Sequence, residues 1–190
     1  MSNLIEIDLS KRLEIKIDNK LPIGLEDLSL SLLSFNKQFH KFVESETDEF
    51  TDVGSELLIK EVRKGSIVVE LVSQAAPILP LLWNGGSLAQ WAIVVQSTCN
   101  WLLGKTDNRP KDLTKQDLQE WNKIVEPIAK DNGSQMNINV SDGGKVINQF
   151  ILNSTEADAI QNRIGRLVEE IDTPQENTHF KSNVLVPNKI

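Results

Sequence analysis

Hydrophobic and polar positions alternate over 4–9 and again over 13–17, where Leu13, Ile15 and Ile17 fall on one side and Glu14 and Lys16 on the other. A period of two marks a half-buried strand, so both stretches predict strands. After Pro22 and Gly24 the period changes. Leu25, Leu28, Leu32, Phe35, Phe39 and Phe42 recur at helical spacing, and Leu30 and Leu33 widen the stripe. This predicts a long amphipathic helix that ends before an acidic loop over 44–56. Two apolar runs, Leu57–Val62 and Ile67–Val72, flank Arg63-Lys64-Gly65-Ser66 and predict a hairpin. Met136, Ile138 and Val140 alternate with polar residues before Asp142-Gly143-Gly144 turns the chain into Val146–Leu152, a second hairpin.

Three further helices follow from the same reading. In Ser87–Leu103 the residues Leu88, Trp91, Ala92, Val95, Cys99, Leu102 and Leu103 form one stripe, while Ile93, Val94 and Trp101 lie off it. A helix apolar on more than one side has to be buried on more than one side. Thr114 opens the next helix, with Asp117 three residues on as a capping box and Leu118, Trp121, Ile124, Val125 and Ile128 as its inner face. Pro127 is expected to kink or end it, and Asn132-Gly133 to stop it. Asn153 with Glu156 opens the last helix, whose stripe runs Ala157, Ile160, Ile164, Leu167, Val168 and Ile171 up to Pro174.

Strands and helices therefore alternate in an order that predicts an α+β fold: antiparallel hairpins forming a sheet, with amphipathic helices packed on one face. A single domain is expected over 1–172, followed by a polar tail over 173–190 that orders only if Val184–Val186 adds an edge strand.

Composition narrows the functional classes. The 190 residues suffice for a core without staples. Lys and Arg number 20 against 27 Asp and Glu, a formal charge of -7, and the basic residues are scattered. Nucleic-acid binding needs clustered cations, so that class is set aside. Cys99 is the only cysteine, and the N-terminus lacks a basic region followed by an apolar one. A cytoplasmic location is the expectation.

No catalytic constellation stands out. His40 sits beside Phe39 on the first helix and His179 in the tail, and two histidines with one cysteine cannot make a closed Cys/His zinc site. Cys99 falls on an apolar stripe, a setting for an inert thiol. Glu44, Glu46 and Asp48 alternate as in a calcium loop with Asp52 at the ninth position, but Glu49 and Ser55 occupy the positions that need glycine and a bidentate glutamate. Gly85-Gly86-Ser87 has no following lysine and no dinucleotide spacing, so Ser87 reads as an N-cap. No cofactor and no metal are expected.

One feature requires an explanation: no charged residue occurs between Glu70 and Lys105. The reading it supports is a non-enzymatic protein–protein interaction domain that self-associates as a homo-oligomer, with Leu88, Trp91, Val95 and Trp101 as anchors. One alternative is a membrane-acting effector using 71–104. The helical part of that segment is only 17 residues with six polar ones, short of a span, and it has no Lys or Arg for an interfacial helix. The other alternative is an enzyme or small-ligand receptor assembled from scattered residues such as Glu61, Arg63, Glu70 and Asp142.

Overall fold

The computed structural model describes residues 11–46, 56–63, 67–74, 87–142 and 144–172. Expectations for the strand over 4–9, most of the acidic loop, the Gly85-Gly86 break and the tail after 172 lie outside these residues.

Strand β1 (Lys11–Asp18) follows the alternation: Leu13, Ile15 and Ile17 are buried and the residues between them are half-buried. Among the described residues it is the central strand of a five-stranded sheet. Helix α1 (Leu25–Glu46) comes next, then hairpin β2 (Glu56–Arg63) and β3 (Ile67–Gln74). Helices α2 (Ser87–Leu102) and α3 (Lys115–Ala129) precede hairpin β4 (Gln135–Asp142) and β5 (Lys145–Asn153), and α4 (Ser154–Asp172) closes the order. The strand order is β2-β3-β1-β4-β5 and every pairing is antiparallel. The fold is α+β, as the pattern implied.

Register explains why one face of the sheet is dry. Ile15 lies opposite Val69 on β3 and Ile138 on β4, and Ile138 opposite Phe150 on β5. All four are buried in one core cluster with residues from each of the four described helices. Between these rows the other face presents Arg12, Glu14, Lys16 and Asp18 opposite Ser141, Asn139, Asn137 and Gln135. There Asn139 Nδ2 donates to Glu14 (3.3 Å) and Gln135 Nε2 to Asp18 (3.3 Å).

Most of the expected stripe of helix α1 meets the core, with Leu28, Leu32 and Phe42 packed against it beside Phe35 and Phe39. Phe35, Phe39 and Val43 are its buried apolar residues, whereas Leu25 is 80% exposed and Leu33 also faces solvent. The helix serves two neighbours, and the second contact is polar. Ser31 Oγ donates to the Ile124 carbonyl (2.9 Å) and Ser34 Oγ to Glu120 Oε2 (2.6 Å). Lys37 and Lys123 hold Glu120 Oε1 at 3.0 and 3.1 Å. Gln38 Nε2 donates to Asp117 Oδ1 (3.2 Å), and Lys41 pairs with Asp117 Oδ2. These partners run antiparallel along α1 and α3, so serines, not leucines, mark the helix–helix seam. The helix also continues to Glu46, so Glu44–Glu46 close a helix rather than open a loop.

The starts of α3 and α4 follow their signals. Thr114 and Asp117 form the reciprocal capping box of α3, and Asn153 and Glu156 exchange the equivalent bonds at 3.2 and 2.9 Å. Lys130 caps α3 in helical geometry, and Gly133, three residues further on at φ +85°, turns the chain toward β4 instead of stopping the helix. Pro127 does not end α3, which runs on to Ala129. It lies in the last turn, where the loss of its N–H removes one bond near an end that already lacks partners.

Burial pushes the Asp117 and Glu120 carboxyls upward, but the donors from Lys41, Thr114 and Gln38, and from Ser34, Lys37 and Lys123, outweigh it and hold both below their ordinary values. A depressed folded-state pKa gives stability that is complete above the unfolded value and is lost as pH falls through the folded one. Stability should therefore decline below about pH 4, the ordinary carboxylate range. Asp117→Asn should lower stability at neutral pH and flatten this acid limb. Urea titrations from neutral pH downward check it; parallel curves for the two proteins would contradict the assignment.

Candidate interaction surface

Helix α2 carries the charge-free sequence, and its two sides have different fates. Leu88, Trp91, Ala92, Val95, Cys99 and Leu102 are all in the core. Trp91 is 1% exposed and meets Phe35 and Phe39 edge-on, with ring centres 5.8 and 5.6 Å away and planes at 72° and 86°. Such edge-to-face pairs add to the burial of the rings themselves.

All four anchors expected from sequence are thus used inside the chain. Leu88, Trp91 and Val95 pack in the core, and Trp101, though off the main stripe, is only 6% exposed. A side chain already buried within its own fold leaves almost no surface for a partner, so the exposed surface of α2 is carried by other residues.

Trp101 is covered by cations that the sequence did not single out. The guanidinium carbon of Arg109, from the α2–α3 connection, lies 5.6 Å from its ring centre, and that of Arg163, on α4, 5.2 Å. Both are within cation–π range. The end of α2 is fixed next to them. Gly104 N–H donates to the Trp101 carbonyl (2.9 Å) and Lys105 N–H to the Asn100 carbonyl (2.8 Å), with Gly104 at φ +70°. This is the Schellman pattern, and cations beside it suit the negative end of the helix dipole.

The outer side of α2 presents Gln90, Ile93, Val94 and Ser97. Ile93 is 57% exposed and Val94 36%. Ser97 Oγ donates to the Val94 carbonyl (2.9 Å), and Thr98 Oγ1 donates to the same oxygen (2.8 Å). The hydroxyl proton of the exposed Ser97 is therefore satisfied within the helix. The result is a solvent-facing surface with no charge and few groups that need water. Its presence was implicit in Ile93 and Val94 lying off the main stripe; their assignment to the exposed side needed the tertiary fold.

Other candidates resolve differently. His40 is exposed, with Nδ1 3.5 Å from Glu44. His179 lies outside the described residues. Register pairs Glu61 with Glu70 across β2 and β3, while Asp142 is on β4, beyond β1. No helix among the described residues is long and apolar enough to cross a membrane. The search of family models, of curated proteins and of solved structures found no match to this chain.

Cys99 is buried. Desolvation pushes its thiol up to about 12, the Glu156 charge adds to this, and Lys105 opposes it. The thiolate is the reactive species. A maleimide or iodoacetamide at pH 8 should leave folded protein unlabelled and modify it fully in denaturant. Rapid labelling of the native chain would contradict this placement.

Proposed function

We propose that this protein is an association domain that pairs with a second copy of itself through the outer side of α2. The observation that carries the reading is the pair Ile93 and Val94, exposed on a helix with no charged residue from Ser87 through Leu102. The chain as a whole carries -7. Copies of such a chain repel one another over most of their surface, and an uncharged strip is where that repulsion is weakest. Full burial of an aliphatic side chain is worth about 1.5–3 kcal/mol, so covering what remains exposed contributes on the order of 1–1.5 kcal/mol for Ile93 and 0.5–1 kcal/mol for Val94 on each copy.

A twofold contact suits the arrangement, because the same strip then serves both partners. Its reach is limited. A helix of 16 residues is about 24 Å long, so two crossed helices alone bury less than a standard stable interface. Association through this surface is therefore weak and concentration-dependent rather than obligate. Because the contact is apolar, it should resist salt, which screens charged contacts.

Sedimentation over a wide concentration range tests the proposal. The wild-type mass should rise above the 21.3 kDa of one chain. Ile93→Asp, with an unchanged circular dichroism spectrum, should weaken this association at least tenfold. A strict monomer at all concentrations would overturn the reading, as would a folded Ile93→Asp that associates like the wild type.

A further inference from the structure

Asn-Gly occurs twice in the chain, as Asn84-Gly85 and Asn132-Gly133, and the second pair lies among the described residues. In this dipeptide the glycine nitrogen can attack the asparagine side-chain carbonyl, because the glycine carries no side chain to stand in the way. Asn132 and Gly133 are both exposed, so water reaches the pair. Gly133 sits at φ +85°, where a residue with a Cβ is strained. The turn between α3 and β4 therefore requires the glycine that makes Asn132 labile.

The residues on both sides of the pair are tied down. Asp131 Oδ2 accepts from the Lys20 N–H (2.6 Å) and the Leu21 N–H (3.0 Å), and the Asp131 carbonyl accepts from the Ser134 N–H (3.0 Å). Ser134 Oγ donates to the Ile128 carbonyl (3.0 Å), and the Ser134 carbonyl accepts from the Ser154 N–H (3.0 Å). Asp131, Ser134 and Ser154 are all buried. The reacting nitrogen is held as well, for Gly133 N–H donates to Ser154 Oγ at 2.9 Å. Attack on Asn132 Cγ needs that nitrogen to give up its proton and to turn toward the side chain. The bond to Ser154 keeps the proton on the nitrogen, and the pinned flanks keep the peptide plane from rotating.

We infer that Asn132 is a deamidation site that the fold restrains through the Ser154 hydroxyl. When the turn opens, the Gly133 nitrogen bonds to Asn132 Cγ. The side-chain amide nitrogen leaves as ammonia, which carries away the proton of the Gly133 N–H, and a succinimide ring closes. Water then opens the ring at either carbonyl. One route gives aspartate. The other gives isoaspartate, in which the main chain runs through the side-chain carbon and is one atom longer. That extra atom falls between two anchored, buried residues, Asp131 and Ser134, so it strains the joint of α3 with the sheet. The rate is set by local opening of the turn and not by the exposure of Asn132, which is complete already in the folded chain. The site uses no residue of α2, and its chemistry does not depend on association.

Peptide mapping by mass spectrometry, on protein incubated in mildly alkaline buffer, follows Asn132 separately from Asn84. Asn132 in the native chain should deamidate at least tenfold more slowly than in the urea-unfolded chain. Ser154→Ala removes the acceptor and leaves an exposed N–H that water can solvate. The folded variant should deamidate at Asn132 about fivefold faster than the wild type, the effect of one lost hydrogen bond. Should Ser154→Ala fail to fold, the wild type alone decides. Below its unfolding transition, deamidation at Asn132 and amide exchange at Gly133 should rise together with urea. Asn132→Asp, which adds the charge without lengthening the main chain, should unfold near the wild-type midpoint, and wild-type protein enriched in isoaspartate at lower urea. The inference is overturned if native and unfolded chains deamidate equally fast, or if folded Ser154→Ala deamidates like the wild type. Exchange at Gly133 that rises with urea while deamidation does not would overturn it too, and equal midpoints for the isoaspartate material and Asn132→Asp would overturn the strain assigned to the joint.

Discussion

The edge-on meeting of Trp91 with Phe35 and Phe39 is the contact on which the described architecture depends. It joins α2, which has no charge, to α1, which is otherwise polar over much of its length. Removing a large ring from such a site costs about 3–5 kcal/mol, a large part of the 5–15 kcal/mol that holds a typical domain folded. With α2 fixed by this contact, its inner side completes the core with Leu13, Ile15, Ile138 and Leu152 from the sheet. The outer side is then left to solvent with Ile93 and Val94 on it. One neutral helix thus supplies both the centre of the fold and the surface proposed to meet a second copy.

A polar seam complements this apolar contact. Glu120 and Asp117 are buried, yet each is met by several donors from α1 and α3. Breaking such a group of partners leaves a buried charge, which costs more than the pair gains over an apolar replacement. The seam therefore fixes which residues of α1 face α3, and it does so with Ser31, Ser34, Gln38 and Lys41. The aromatic contact and the seam act on different sides of α1 and together determine its rotation.

Much of the fold could be read from the sequence because it rests on local signals. Alternation at Leu13, Ile15 and Ile17 gave β1, the Asp142–Gly144 turn gave the second hairpin, and the Thr114 and Asn153 caps gave two helix starts. The pairing of β1 with both β3 and β4 was not legible, since strand order depends on contacts far apart along the chain. The stripe of α1 was legible from Leu28 through Phe42, which meet the core, but not its second, polar contact, because burial at the seam with α3 is carried by Ser31 and Ser34. Which residues of α2 the fold itself buries was not legible either. Leu88, Trp91, Val95 and Trp101 are buried by the side of the helix on which they fall, as the contrast between Val95 and the chemically identical Val94 shows. What remains exposed is Ile93 and Val94, and the cover of Trp101 comes from Arg109 and Arg163, which its own sequence neighbourhood does not single out.

The most direct test of this dual use of α2 is side-chain footprinting by hydroxyl radicals in dilute and concentrated solution. Ile93 and Val94 should be modified readily when the protein is dilute and become protected as it is concentrated, while Leu88 and Trp91 stay protected throughout. Equal modification of Ile93 and Val94 at every concentration, or ready modification of Trp91 in the folded chain, would contradict the account.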